Sequence, residues 1–150
     1  MEPLRLPASL DPRFLDWLAA TRERQGDLAT RDLRRGIQAV SRVYVEERGL
    51  GDLGGRATGG TARRAAFACY YAPLHVLTLS PLAAVLRDDG VLGGPPRRVV
   101  DLGCGTGAVG AAVARGDPAS PPVIGVDALG WALGEARHTY RAFGLRGRTR

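Results

Sequence analysis

The run Arg97-Arg98-Val99-Val100-Asp101-Leu102-Gly103-Cys104-Gly105-Thr106-Gly107 is where this chain has the residues to hold a ligand. Two β-branched residues lead into a carboxylate, and three glycines then alternate with small residues. Glycine lacks a Cβ and tolerates positive φ, so such a turn brings bare backbone close to a bound group. Ala108 to Arg115 is small and helix-compatible, which completes a strand, a glycine loop and a helix. Open parallel sheets bind nucleotide-like ligands at this position, beyond the carboxyl end of a strand. Further on, Pro121-Pro122-Val123-Ile124-Gly125-Val126-Asp127 is a second short apolar run ending in an acid. A carboxylate at the tip of the second strand of a βαβ unit can accept hydrogen bonds from both ribose hydroxyls. Loop, helix and second acid in register point to an adenosine-containing ligand.

Two registers of the loop compete. Gly105-Thr106-Gly107-Ala108-Val109-Gly110 satisfies the G-x-G-x-x-G dinucleotide fingerprint, which keeps an NAD(P)-binding protein open as an alternative. That register puts Asp101 and Gly103 inside the first strand, where a buried, unpaired carboxylate is costly. The other register places Asp101 at the strand end and starts the loop at Gly103. Read as D-x-G-x-G-x-G, the stretch resembles the class I S-adenosylmethionine-dependent methyltransferases. The resemblance implies a Rossmann-like sheet, methyl transfer as the activity and S-adenosylmethionine as the cofactor. It also implies that Asp101 and the backbone of Leu102, Gly103, Cys104, Gly105, Thr106 and Gly107 hold the methionine end. Asp127, with Ala128 beside it, would hold the ribose. After Asp127, Ala132, Leu133, Ala136 and Arg137 are similar to the A-L-x-x-A-R core of the family's second helix. Leu129 departs from the small polar N-cap usual there, and Trp131 either flanks an adenine or packs.

A weaker resemblance covers Arg64-Ala65-Ala66-Phe67-Ala68-Cys69-Tyr70-Tyr71-Ala72-Pro73-Leu74-His75. With a proline and a short helix leading to D-L-G-C-G-T-G, it looks like the methyltransferase-like proteins of mitochondrial small-ribosomal-subunit assembly and their bacterial relatives. This implies ribosomal RNA or a ribosomal precursor as partner, in an active enzyme or in a non-catalytic RNA-binding module. Apart from the resemblance, Tyr70, Tyr71 and His75 read as core aromatics and a satisfied histidine. Those relatives can carry a cysteine-ligated iron–sulfur site, but Cys69 and Cys104 cannot build one, so no metal is expected.

The elements that must position these residues follow from periodicity and punctuation. Asp11-Pro12 opens a helix ending before Gly26, with Phe14, Leu15, Trp17 and Leu18 as its apolar face. A second helix is predicted from about Arg31 to Arg48, stopped by Gly49, with Leu33, Ile37, Val40, Tyr44 and Val45 inward. Its arginines at 31, 34, 35 and 42 form a wet face. Six glycines in the twelve residues Gly49 to Gly60 predict a loop. Thr61 starts another helix, interrupted at Pro73, and Ser80-Pro81 opens a further one ending near Asp88-Asp89-Gly90. Strands are predicted at 97–101 and 122–126. A helix follows, with Leu129, Leu133, Ala136, Tyr140 and Phe143 on one face, His138 in solvent, and Gly144-Leu145 as its C-cap.

The fold class is therefore α/β. Residues 1–95 form a helical N-terminal region, and residues 96–150 form the first β-α-β-α part of a doubly wound parallel sheet, with a third strand due to begin at Arg150. The resemblance places an adenine-contacting acid after a third strand and the acceptor site after a fourth. The chain is thus expected to be the cofactor-binding part of a longer or complemented methyltransferase, inactive by itself, and no catalytic residue is assigned.

With 150 residues, 45% hydrophobic and 24% charged, the chain is ordinary for one globular domain. Its formal charge is +6, and all 21 basic residues are arginine. The complete absence of lysine and asparagine suggests a GC-rich genome and discounts part of that excess. Only the tail, with Arg141, Arg146, Arg148 and Arg150, is locally basic, so a nucleic-acid partner is permitted and not demanded. The cysteine count excludes a disulfide framework. The start has no signal-like h-region, no run of 18 apolar residues is evident, and a cytoplasmic protein with no membrane partner is expected.

Overall fold

The computed structural model describes residues 12–46 and 53–150. The capping residue expected at Asp11 and the stop at Gly49 lie outside that range. Helix α1 (Pro12–Arg24) buries Phe14, Trp17 and Thr21. Leu15, expected inward, is exposed. Helix α2 (Thr30–Glu46) buries Gly36, Val40 and Val43. The expected inward pair Tyr44 and Val45 is turned out, Val45 being 68% exposed. Gly36 explains the rotation: a Cβ there would lie 2.1 Å from the Ala62 carbonyl oxygen. The backbone of the next long helix therefore crosses α2 at its glycine, and the seam follows that crossing rather than the larger side chains. The arginines at 31, 34, 35 and 42 are exposed, as expected.

The glycine-rich stretch is not all loop, because α3 (Leu53–Ala57) lies within it and its Ala57 is fully buried. Nor does Pro73 break the chain. Helix α4 (Thr61–Ala66) passes through a π-helical turn (Phe67–Tyr71) into α5 (Ala72–Asp88), where Pro73 occupies the first turn. At the junction the Ala72 N–H donates to the Phe67 carbonyl, five residues back. Proline clashes with the carbonyl four residues before it in a regular α-helix. Widening the preceding turn accommodates the ring. Pro81, expected to start a helix, sits inside α5 on its exposed side. The resulting helix, Thr61–Asp88, is long and apolar enough, by length and composition alone, to cross a membrane. In this fold it is the spine against which α2 and α6 (Ala108–Arg115) pack.

Strands β1 (Val99–Leu102), β2 (Val123–Val126) and β3 (Gly147–Thr149) form a parallel sheet in the order β1-β2-β3. The third strand thus begins before Arg150; Val123 N–H donates to the Arg146 carbonyl at 2.8 Å to start the ladder. Helix α7 (Gly130–Ala142) connects β2 to β3. Its C-terminus closes as expected: Gly144 adopts φ +68°, and Leu145 N–H donates to the Tyr140 carbonyl at 2.8 Å.

One face of the sheet packs on α6 and α7. The other shows Val100 and Leu102, 52% and 77% exposed, and β1 is an edge strand among the described residues. The two sequence regions share one core: Phe14 and Trp17 from α1 and Val76 from α5 join Tyr140, Phe143 and Val123. Trp17 Nε1 donates to Thr139 Oγ1 at 3.2 Å, so the indole is buried without stranding its donor. Burying a large side chain in this way contributes about 1.5–3 kcal/mol. His138, expected in solvent, is half-buried with Nε2 3.2 Å from Thr21 Oγ1. Burial pushes its pKa down.

Candidate functional site

The glycine loop is held from both sides by carboxylates. Asp101 lies within β1, not at its end, and shares the covered face with Val99. Its Oδ2 accepts the Gly110 N–H at 2.8 Å. Gly110 is the third residue of α6, whose N-cap position is Gly107 with no side-chain cap. Asp101 therefore serves from the strand as the cap the helix lacks, at the positive end of the helix dipole. A Cβ on Gly110 would lie 2.9 Å from Asp101 Oδ2, so glycine makes this approach possible. Burial is the main cause that pushes the Asp101 pKa up, against the Gly110 bond that lowers it. The strain of a half-buried carboxylate is thus met by a partner, not avoided by placing the acid at the strand tip.

Asp127 is the first residue beyond β2. Its Oδ2 accepts the Gly105 N–H at 2.8 Å and its Oδ1 accepts the Leu129 N–H at 2.9 Å. The second bond supplies at the start of α7 what the Leu129 side chain cannot. Each carboxylate oxygen has a further lone pair for another donor.

Around Asp127 opens a cleft of about 440 Å³. Gly103, Cys104, Gly105, Thr106, Asp127 and Ala128 line it, with Leu129 and Trp131. Asp101, Leu102 and Gly107 are outside its lining; Leu102 points to the open face of the sheet. The opposite wall comes from the helical front, through Tyr44, Thr58, Phe67, Ala72 and His75. Sequence reasoning did not assign these to the site. Tyr44 and His75 carried a signal in hindsight: each is a polar-tipped ring left exposed beside a buried seam. Tyr70, expected in the core, is 41% exposed. Tyr71 donates its hydroxyl to the Ile37 carbonyl at 3.2 Å.

Cys104 lies in the cleft wall with its Sγ against the Tyr140 hydroxyl. Burial, then Asp101 and Asp127, push its pKa up to about 11. Such a thiol is protonated at neutral pH and is a poor nucleophile. Both cysteines are free, and the described residues contain no cluster that would hold a metal ion.

Residues 82–150 match the family model of the methyltransferase small domain, a class I S-adenosylmethionine-dependent methyltransferase family. The match agrees with the resemblance read from D-x-G-x-G-x-G, and the parallel α/β sheet is consistent with a partial Rossmann-like fold. The match begins inside α5 and carries methyl transfer as the general function, with S-adenosylmethionine as the cofactor such domains typically use. No curated protein and no solved structure matches the chain significantly.

The cleft fits that cofactor. A Cβ on Gly103 or Gly105 would meet nothing within 4 Å, so the loop leaves open space beside its backbone. Trp131 Nε1 is buried with no hydrogen-bond partner among the described residues, a spare donor on a cleft-lining side chain. The remaining lone pairs of Asp127 match a diol.

Proposed function

We propose that this chain binds S-adenosylmethionine in the cleft between the glycine loop and the helical front and serves methyl transfer to RNA. The observation carrying the cofactor assignment is Asp127, fixed by two backbone donors at the lip of an open glycine loop. When bound, S-adenosylmethionine supplies an activated methyl group whose displacement needs alignment more than acid–base machinery. Asp127 accepts the ribose hydroxyls, Ala128 sits beside it, and the Gly103–Thr106 backbone receives the methionine end. Asp101 holds the loop in shape through Gly110 and is a positioning residue. Phe67 and Trp131, with ring centroids 6.4 Å apart, narrow the cleft against water.

Calorimetric titration of the protein with S-adenosylhomocysteine and with NADPH tests this reading. Tighter NADPH binding overturns it in favour of the dinucleotide register.

RNA, in particular ribosomal RNA or a ribosomal precursor in the cytoplasm, is the partner this reading favours. Arg141, Arg146, Arg148 and Arg150 are all exposed, and the sheet brings Arg146 and Arg148 beside Arg97 and Arg98 around one groove. Binding held by such contacts weakens steeply with salt, because neutralised phosphates release counterions. A flat salt dependence, or no loss on changing Arg146, Arg148 and Arg150 to Ala, argues against it. A second reading, an RNA-binding module without turnover, is separated by assaying methyl incorporation into ribosomal RNA.

A further inference from the structure

We infer that a cavity in the helical front, walled by Tyr44, Phe67, Tyr71 and His75, holds an unstacked nucleobase of a single-stranded nucleic acid next to the cofactor cleft. The inference deepens the RNA methyltransferase reading and rests on it for the identity of the neighbouring ligand. It concerns residues wholly outside the family match at 82–150, so that match assigns them nothing.

The cavity measures about 320 Å³ and is lined by Val40, Ser41 and Val45 of α2 in addition to the four rings. Tyr44, Phe67 and His75 line the cofactor cleft as well. The two spaces therefore share a wall, and an occupant of one stands beside an occupant of the other. The aromatic walls are tilted to one another: Tyr44 and Phe67 at 6.1 Å and 63°, Phe67 and Tyr71 at 5.6 Å and 43°. Proteins hold splayed-out bases by stacking them on such faces and by bonding their polar edges.

The polar groups here are few and suited to an edge. The Tyr71 hydroxyl is engaged with the Ile37 carbonyl and with Ser41, which leaves the His75 imidazole to meet an edge. A neutral imidazole offers one donor and one acceptor. Burial lowers the His75 pKa, which favours that neutral form. The backbone supports the same conclusion. Phe67 and Tyr71 are the first and last residues of the π-helical turn. Such turns are rare and are frequently found at functional sites.

Charge decides between a base and an aromatic side chain of a protein partner. The helix supplying Val40, Ser41, Tyr44 and Val45 also exposes Arg31, Arg34, Arg35 and Arg42, which outnumber the two acids paired with them, Asp32 and Glu46. The guanidinium of Arg64 lies 5.6 Å over the Trp131 ring on the cleft side. A strand with a phosphate on each nucleotide complements this surface.

The test uses the whole chain with uridine and guanosine 5′-monophosphates as probes, followed by saturation-transfer NMR. Adenosine nucleotides are avoided because adenine can enter the cofactor cleft. Ser41→Trp and Val45→Trp fill the cavity from exposed positions on α2 that do not line the cleft. The expected result is saturable binding of at least one nucleotide, weakened tenfold or more by each substitution, with S-adenosylhomocysteine titrating as before. The inference is overturned if neither nucleotide binds, if both variants bind as the original chain does, or if only N-acetyltyrosinamide competes for the cavity. Cavity-dependent nucleotide binding without any S-adenosylhomocysteine binding sustains the base pocket and removes the methyltransferase reading.

Discussion

Asp101 is the third residue of a four-residue strand, and Asp127 is the first residue beyond the end of another. That difference of position turns the two carboxylates in opposite directions. The pleat sends Asp101 to the covered face with Val99, where it meets Gly110 and stiffens the start of α6. Asp127 is free of the pleat and bends over the strand end, holding the loop and α7 with one lone pair per oxygen and offering the rest to the cleft. Two acids that look alike in the sequence thus come to stand in different places, one under the sheet and one at the lip of the cleft.

The sharpest way to break this comparison is Gly110→Val. The new side chain displaces the Asp101 carboxylate and strikes Val123, whose Cγ1 lies 2.9 Å from the Cβ position. Overpacking and a lost charge-assisted bond together should lower stability by about 3–5 kcal/mol in urea unfolding. A loss below about 1 kcal/mol would show that the bond carries little of the support assigned to it.

Asp127→Ala comes next, and its effect should fall on binding. Removing charge-assisted bonds worth about 1.5–3 kcal/mol predicts a loss of S-adenosylhomocysteine affinity of roughly ten- to a hundredfold. Wild-type affinity in this variant would mean that Asp127 is not the ribose acid. Asp101→Asn, in contrast, retains an acceptor for Gly110 and should change affinity less than threefold by the same titration.

The pH response of Asp101 is a smaller effect. Its folded-state pKa is raised from 3.8. The folded protein therefore binds more protons than the unfolded chain across that window. Stability contributed by the protonated group is present below the unfolded pKa and lost as pH rises through the folded one. Relative to Asp101→Asn, the original chain should lose stability in thermal melts as pH rises above 3.8 and through the raised folded-state pKa. A difference that grows in the other direction contradicts burial as the dominant cause. Smallest of all, Cys104 should resist iodoacetamide at pH 7.5 in the folded chain and react once urea exposes it, as mass spectrometry of the labelled peptide would show.

The sheet module was legible because its signals are local. Short apolar runs bounded by Pro121-Pro122 and by glycines read as strands, and the Gly144-Leu145 cap acts within its own turn. The helical front was less so. Pro73 and Pro81 are local breakers, yet packing on α2 and α6 carries one helix through both, with a π-helical turn absorbing the first. Gly36 fixed which face of α2 turns inward by admitting a carbonyl from Ala62, a contact that no periodicity encodes. The front's half of the cleft, Tyr44, Phe67 and His75, was hidden for the same reason: these residues reach Asp127 only through the crossing of α2 with the long helix. Asp101 was recognised as important, but its partner Gly110 was read only as the last glycine of the competing dinucleotide register.

Tyr140 shows how tightly the module is locked. A Cβ on Gly107 would lie 2.9 Å from its ring, one on Gly125 2.5 Å from its hydroxyl, and one on Gly147 2.3 Å from its ring. One side chain therefore forbids substitution at three positions in the loop, in β2 and in β3. The consequence is an ordering rule for sequence change, a form of epistasis. A side chain at 125 becomes acceptable only after both Tyr140 and Cys104, whose Sγ lies 2.9 Å from that Cβ position, have given way, and one at 147 only after residue 140 has lost even its own Cβ, 2.6 Å away.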